Sequence, residues 1–359
     1  MRGLEVALTD VTKRFDDVVA VDGIDLQVHA NEFVSLLGPS GCGKTTTLRM
    51  IAGFENPDAG EISIGGRSVV STPPHRREVG MVFQDYALFP HRTVAQNIAF
   101  GLRMRKMARD EIARRVDAML DLLHLGDLAD RKPGQLSGGQ QQRAALGRAL
   151  VIDPAVVLLD EPLGALDLKL RKRMQLEVKQ IHREVGGTFI YVTHDQEEAI
   201  TMSDRIAVMS EGRVLQIATP KEVYEEPATR FVAEFIGEAN VLEGMVDGKQ
   251  VRCGPVRVEA GMSVLSNGEA ALVIVRPERV RIGSLAKTKT TSSQLKVRDV
   301  VFAGPTLRVL GDLGPFDFQA TTGDEIGTVP RPGDVIDVGW DVDDALVIPA
   351  SEAGRREGR

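Results

Sequence analysis

Cysteine is scarce in this 359-residue chain, an excess of positive charge and long apolar runs are missing, and each shortage excludes something. Two cysteines, Cys42 and Cys253, can build neither a disulfide framework nor a cysteine-based metal cluster, which fits a reducing compartment. A net charge of −7 argues against a nucleic-acid binder that relies on overall basicity. No apolar stretch approaches the ~18 residues of a membrane span. The start, Met1-Arg2-Gly3-Leu4-Glu5-Val6, has no basic region followed by an apolar segment, so no secretory signal is expected. With 43% hydrophobic and 26% charged residues, the composition is that of a globular protein with room for two domains. These features predict a cytosolic protein able to dock onto something in a membrane.

What the chain does have is a glycine-rich stretch, Gly38-Pro39-Ser40-Gly41-Cys42-Gly43-Lys44-Thr45, directly after the apolar run Phe33–Leu37. A buried strand running into such a turn wraps backbone N–H groups around a nucleotide's phosphates. The glycines let the backbone approach the anion without a Cβ in the way. Lys44 is expected to reach the β- and γ-phosphates, and the Thr45 hydroxyl to be a ligand of Mg²⁺. Thr46 and the residues to Ile51 continue as a helix-competent segment. The bland reading is an ordinary strand-to-helix turn, and the strand before it and the helix after it count against that. The small side chain of Cys42 is incidental to this chemistry, although its position predicts sensitivity to thiol reagents.

Short β-branched runs alternate with helical patterns, the signature of an α/β domain with mainly parallel strands. Strands are predicted over Phe33–Leu37, Met81–Phe83, Val156–Leu159 and Phe189–Thr193, with a half-exposed strand over Leu4–Leu8. Helices are predicted over Asp110–Leu123 and Lys169–Val185, each with one apolar stripe. Ile206–Met209 and Arg213–Ile217 flank Ser210-Glu211-Gly212 as a hairpin, and Thr219-Pro220-Lys221-Glu222 opens a short helix. After Gly237 the helical patterns vanish and short strands separated by Gly, Pro, Asn and Asp follow, which predicts a small β-barrel domain over about 238–350. The polar tail Ser351–Arg359 is expected to be disordered.

Two further stretches carry chemistry. Val156-Val157-Leu158-Leu159-Asp160-Glu161 is an apolar strand ending in two carboxylates, where Asp160 could hold Mg²⁺ and Glu161 polarise the attacking water. Without the upstream phosphate loop this would read as a solvated cap. Leu136-Ser137-Gly138-Gly139-Gln140-Gln141-Gln142-Arg143 precedes the helical segment Ala144–Val151 and offers a hydroxyl and N–H groups as a second anion site. The bland alternative is an N-cap after a loop. Two phosphate-cradling elements in one chain imply a nucleotide held between two subunits.

In this order the motifs resemble the ATP-binding subunit of an ABC transporter, over residues 4–237. Leu136–Arg143 is similar to the family's signature, which adds Ser137, Gly138, Gly139 and Gln140 to the nucleotide site of a partner subunit. Gln84 sits where the Q-loop glutamine lies, contacting Mg²⁺ and water; Gly164-Ala165-Leu166-Asp167 matches the D-loop, which the resemblance places across the dimer interface. His194 matches the switch histidine, expected at the γ-phosphate, and Phe15 the aromatic that stacks on adenine. The resemblance therefore implies an α/β P-loop fold with a helical insert over about 86–155. It also implies ATP and Mg²⁺ as cofactors, with Thr45, Gln84 and Asp160 around the metal and Glu161, Gln84 and His194 in hydrolysis.

Arg276-Pro277-Glu278 and Trp340–Ile348 make the C-terminal region similar to the all-β, OB-like appended (TOBE-type) domain of sugar, polyamine, iron and glycerol-phosphate importers. Its shortage of aromatics and its acidic residues favour a regulatory or dimer-stabilising role over nucleic-acid binding. The resemblance implies a homodimer on the cytoplasmic face of the inner membrane, held peripherally by two membrane-spanning permease subunits. A solute-binding protein would be an indirect partner, and the surface around Gln84 and Tyr86–Leu102 the docking site. Tyr86–His91, Phe100–Lys106 and Phe235–Asn240 look most like polyamine (spermidine/putrescine) importer subunits; sugar, glycerol-phosphate and ferric-iron relatives share much of this. A non-transport ABC ATPase remains the alternative class.

Overall fold

Three largely apolar runs, Phe33–Leu37, Val156–Asp160 and Thr188–Thr193, are buried at every position, as strands must be when both faces of a parallel sheet are covered. The computed structural model describes residues 1–164, 166–259, 265–323 and 329–350. Ala165, within the expected D-loop, and the tail 351–359 lie outside the described residues. Contacts divide the chain into two units, Met1–Lys221 and Glu222–Arg359.

The first unit opens with strands β1 (Val6–Phe15), β2 (Val18–Val28) and β3 (Phe33–Leu37), helix α1 (Lys44–Ala52), and strands β4 (Ala59–Ile64), β5 (Arg67–Ser68) and β6 (Val79–Val82). Helices α2 (Val94–Ile98), α3 (Phe100–Met104), α4 (Arg109–Leu122) and α5 (Gly138–Leu150) intervene before β7 (Val156–Asp160). Then come α6 (Leu168–Val185), β8 (Thr188–Thr193), α7 (Gln196–Met202), β9 (Arg205–Ser210) and β10 (Arg213–Ala218). One sheet runs β10-β9-β3-β8-β7-β6, parallel except for β10; the other is antiparallel, β2-β1-β4-β5.

The side-chain period of two sorts the parallel strands between two cores. Val34, Leu36, Val156, Leu158, Ile190 and Val192 face α1 and the antiparallel sheet. Phe33, Val157, Leu159, Phe189 and Tyr191 face α5 and α6. Register matters more for function. Leu37 is opposite Thr193, Asp160 opposite Val192, and Val82 opposite Leu159, so four strands end at one level. Whatever follows those ends is gathered along the carboxyl edge of the sheet, the usual place for a ligand in such folds.

Two sequence expectations shift. The strand expected at Met81–Phe83 begins at Val79 and ends at Val82. Gly80 concealed its start: a Cβ there would come within 2.5 Å of the Ala149 carbonyl oxygen, so the strand needs a residue without β-propensity where α5 presses on it. The strand expected at Leu4–Leu8 runs on to Phe15 through register shifts, with Asp10 at φ 49. Its irregular middle has no period for a sequence reading to find.

In the second unit, helix α8 (Pro220–Glu225), which straddles the division, and α9 (Arg230–Phe235) precede an all-β body. Strands β11 (Asn240–Asp247), β12 (Gln250–Cys253), β13 (Val256–Glu259), β14 (Ala270–Val275) and β15 (Arg281–Ile282) lead to the long β16 (Thr291–Ala303). β17 (Thr306–Leu313), β18 (Phe316–Thr322), β19 (Val335–Trp340) and β20 (Ala345–Pro349) complete it. They form two antiparallel five-stranded sheets, β13-β12-β11-β14-β20 and β15-β19-β16-β17-β18. Both contribute to one core, where Phe318 stacks on the fully buried Trp340 at 5.5 Å. Composition groups residues 222–237 with the cassette. Two of their carbonyls nevertheless hold Arg276 of the β body: its guanidinium donates to the oxygens of Tyr224 (2.7 Å) and Ala233 (2.9 Å), and also to that of Glu238 (3.0 Å).

Candidate functional site

The turn after β3 is built for an anion. Gly41 and Gly43 adopt φ +80 and +101, conformations costly for any residue with a Cβ. At Gly38 and Gly43 space also decides: a Cβ would lie 2.2 Å from the Met209 oxygen and 2.4 Å from the Ala20 oxygen respectively. Gly43 stands at the N-cap of α1 and supplies no side-chain cap. The first intrahelical N–H to be taken is that of Thr47, which donates to the Gly43 oxygen at 2.9 Å. The N–H groups of Lys44, Thr45 and Thr46 thus precede the helical ladder and carry the positive end of the helix dipole. Pro39 and Ser40 complete the curl of the loop, where Cys42 donates its N–H to the Pro39 oxygen at 3.4 Å.

Lys44 is only 4% exposed, and its ammonium donates to the oxygens of Gly38 and Pro39, both at 2.8 Å. Cys42 Sγ lies 3.8 Å from that ammonium and is itself buried. Burial pushes the Cys42 thiol above its ordinary pKa, opposed by the nearby Lys44 charge. Both features count against the expected sensitivity to thiol reagents, because the reactive species is the thiolate.

The Thr45 hydroxyl donates to Oδ1 of Asp160 at 2.9 Å, across from the tip of β7. Burial raises the Asp160 carboxyl above its usual range, while the Thr45 hydrogen bond lowers it in part. Among the described residues no group of three or more His, Cys, Asp or Glu side chains is placed to hold a metal ion. Thr45 and Asp160 are hard oxygen donors, a pairing that suits Mg²⁺ bound largely through phosphate and water.

Glu161, the next residue, is a non-glycine at φ 43, and its N–H donates to the Val192 oxygen at 3.1 Å. That bond fixes the end of β7 against β8 just before His194. On the same side Oε2 of Glu161 lies 3.3 Å from Nδ1 of His194 and accepts from Nε2 of Gln84 at 3.5 Å. Residues from three strand ends, β6, β7 and β8, therefore converge on one carboxylate oxygen.

The other expected site residues make local bonds and contacts outside this cluster. Ser137 caps α5 in a box with Gln140: the Gln140 N–H donates to Ser137 Oγ at 3.4 Å and the Ser137 N–H to Gln140 Oε1 at 2.9 Å. Gly138 and Gly139 follow as its first helical residues. Asp167 caps α6 by accepting the Leu170 N–H at 3.0 Å. Phe15 ends β1 with 43% of its surface exposed and the Lys13 ammonium 5.2 Å from its ring centroid. It pairs with Val18 on the hairpin whose Ala20 oxygen touches the phosphate loop at Gly43.

Along β6 and Phe83, the residue before Gln84, a groove of about 570 Å³ is lined by Phe54, Met81, Phe83, Phe89, Phe100 and Ile152, among others. Of the expected Tyr86–Leu102 surface it takes in Ala87, Phe89, Phe100 and Gly101, while Tyr86 itself is buried. Sequence reasoning missed Arg77 and Arg171. Arg77 donates to the Met50 and Ile51 oxygens at the end of α1, at 2.6 and 2.7 Å. Arg171 ties α6 to the residue after His194. Neither stands in a recognisable spacing, and an arginine in a charged stretch reads as solvated surface.

Comparison with known proteins follows this division of the chain. Residues 21–164 match the family described as ABC transporter, and residues 273–348 the TOBE domain. The chain is 51% identical to a spermidine/putrescine import ATP-binding protein of Rubrobacter xylanophilus, covering 97% of this chain and 94% of that one. It is 50% identical to the protein of the same description from Thermobifida fusca, over 96% and 93% of the two chains. A dimeric bacterial ABC transporter cassette, MJ0796, superposes with TM-score 0.54 at 33% identity, over 60% of this chain and 98% of its own. A second dimeric structure of that cassette, in a post-hydrolysis state bound to ADP and phosphate, matches equally, with TM-score 0.54.

Proposed function

The chain belongs to the ABC transporter family, and from that membership we propose that it is the ATP-hydrolysing subunit of a polyamine importer, acting on the spermidine/putrescine class. The single observation that carries the ATPase reading is the convergence of Gln84 and His194 on the Glu161 carboxylate, beside a glycine loop whose helix N-terminus is open. Residues 4–237 are taken as the cassette and 238–350 as the appended β domain.

Bound ATP would lay its phosphates against the N–H groups of residues 41–46, with Lys44 exchanging its carbonyl partners for phosphate oxygens. Exposed Phe15 offers a π-face to the adenine. Thr45 and Asp160 are suited to hold Mg²⁺, with Gln84 in reach; when bound, the ion offsets charge on the β- and γ-phosphate oxygens. Glu161 orients a water and accepts its proton, and His194 and Gln84 fix the carboxylate that does so. The bonds that Ser137, Gln140 and Asp167 make are helix caps that reach neither Lys44 nor Glu161, and the family resemblance assigns them to the facing protomer's nucleotide in a head-to-tail homodimer. The dimeric cassette structures of the relative support a homodimer.

No helix among the described residues is long and apolar enough to cross a membrane. Transport then requires two permease subunits, and the apolar groove beside Gln84 is the proposed seat for a helix of each, on the cytoplasmic face of the membrane. Binding in that groove presses on β6 and Phe83, which lead into Gln84, and this gives a route from ATP to permease. Sugar, glycerol-phosphate or ferric-iron cargo would use the same machinery. The relatives' descriptions favour polyamines.

The test is Glu161→Gln in the full chain, purified with its membrane partners. It should bind ATP, form a stable dimer and lose spermidine uptake, while the wild type restores uptake in cells lacking their own system. Wild-type turnover in Glu161→Gln would refute the assignment; uptake of another solute alone would change the cargo and leave the ATPase.

A further inference from the structure

Leu166 and Leu170 lie directly under the N-terminus of α5. A Cβ on Gly138 would come 3.0 Å from Cδ2 of Leu166, and one on Gly139 would come 3.3 Å from Cδ1 of Leu170. The glycines that follow Ser137 therefore rest on the segment that starts α6. The Leu166 carbonyl oxygen accepts from Nη2 of Arg171 at 3.0 Å. Nη1 of the same guanidinium donates to Oδ2 of Asp195 at 3.3 Å.

Asp195 is the residue after His194, and its other oxygen accepts the Glu197 and Glu198 N–H groups at 2.8 and 3.2 Å, capping α7. Its own N–H donates to the Thr193 hydroxyl at 3.0 Å, and that hydroxyl donates to the buried Glu198 carboxylate at 2.6 Å. Tyr191 reaches the same Glu198 oxygen at 2.6 Å. Both chain neighbours of His194 are thus pinned, and the fork of Arg171 connects them to Leu166. A planar guanidinium can hold a carbonyl and a carboxylate at once in fixed geometry, which an ammonium cannot.

We propose that Arg171 is a positioning residue for hydrolysis: it joins the backbone of Leu166, whose side chain underlies Gly138, to the Asp195 carboxylate that sets His194 over Glu161. This rests on the two-subunit site proposed above and deepens it. A γ-phosphate held by Ser137 for the partner's site shifts Leu166, and Arg171 transmits the shift to the His194 of the protomer that owns Ser137. The two sites of the dimer then work cooperatively through one side chain in each half.

The experiment compares Arg171→Lys, Arg171→Met, Asp195→Asn and the double variant Arg171→Lys/Asp195→Asn as full chains. Expected are a fall in kcat of about 3- to 30-fold, a KM for ATP changed by less than about 2-fold, and a Hill coefficient drawn toward about 1. The double variant should cost less than the product of the single effects, as for two members of one contact. Thermal midpoints, read on every variant, separate this from loss of fold. Variants that lower only the midpoint, with kcat and Hill coefficient intact, overturn the proposal, as does simple additivity. ATP-driven dimerisation of Glu161→Gln is measured alongside. Its failure sinks the two-subunit reading and the inference with it, whereas dimerisation with kinetically silent Arg171 variants sinks the inference alone.

Discussion

Nδ1 of His194 lies 3.3 Å from Oε2 of Glu161, on loops that leave adjacent strands of one sheet. The contact does not depend on long flexible arms alone. Glu161 is held at φ 43 by its N–H bond to Val192, and His194 follows two residues later on that same strand's end. Backbone strain of this kind persists only where the surroundings over-determine it, and here it aims the carboxylate along the sheet edge.

Removing His194 should therefore disturb orientation more than binding. His194→Ala is expected to lower kcat by about 100-fold or more, with the KM for ATP within about 3-fold, since the phosphate loop is untouched. Steady-state kinetics on the purified chain check this. A raised KM with unchanged kcat would place the histidine in ground-state binding instead.

Asp160 carries a stability cost that its function explains. Its folded carboxyl has a raised pKa, chiefly from burial, so the folded protein binds a proton more readily than the unfolded chain does. Stability attributable to this group is then lost as pH rises from the unfolded carboxylate range through the folded value, and stays low above it. Asp160→Asn should raise the thermal midpoint at pH 7–8, an advantage that shrinks as the buffer is taken below the ordinary carboxylate range. The same variant should lose ATP hydrolysis by more than about 100-fold. Calorimetry at several pH values tests the first half and an ATPase assay the second; a variant less stable at neutral pH would contradict the burial argument.

Cys42 is expected to resist alkylation. Its thiol is buried and its pKa raised, so at neutral pH the thiolate is scarce even with Lys44 close by. Maleimide labelling of the folded chain should run at least about tenfold slower than labelling of the urea-unfolded chain, and should speed up as pH rises. ATP should slow it further by covering the loop. Rapid labelling at pH 7 would mean that the loop opens far more readily than its hydrogen bonds suggest.

Much of this was legible in the sequence because the chemistry sits at the ends of uninterrupted apolar runs. Phe33–Leu37 and Val156–Asp160 could only be buried strands, so the residues after them, from Gly38 and at Glu161, were marked by position. Gln84 was found by motif, while the strand before it was misplaced because Gly80 carries no propensity. The antiparallel sheet β2-β1-β4-β5 was mostly illegible: bulges at Asp10 and Gly60 break the period of two on which strand reading depends. Arg77 and Arg171 were invisible for another reason. Their partners are carbonyls, or a carboxylate many positions away, and no local pattern encodes a long-range contact.

Arg77 supplies the last prediction. It is 4% exposed, caps the carbonyl end of α1 through Met50 and Ile51, and donates from Nε to the Thr72 oxygen at 2.8 Å. A cation at a helix C-terminus opposes the negative end of the dipole, and this helix presents its other end to phosphate. Arg77→Met takes a donor from four carbonyl groups, those of Met50, Ile51, Thr72 and Val70, and should destabilise the chain by about 3 kcal/mol, with Arg77→Lys recovering part of that. If the helix end also sets the loop, ATP affinity must fall with stability. A tenfold rise in Kd removes about 1.4 kcal/mol from the stabilisation that saturating ATP confers on the wild type. Urea melts with and without ATP measure both quantities in one experiment. Equal stabilisation of wild type and Arg77→Met by ATP would confine Arg77 to holding the fold, because a ligand cannot sense a helix end that does not alter the loop.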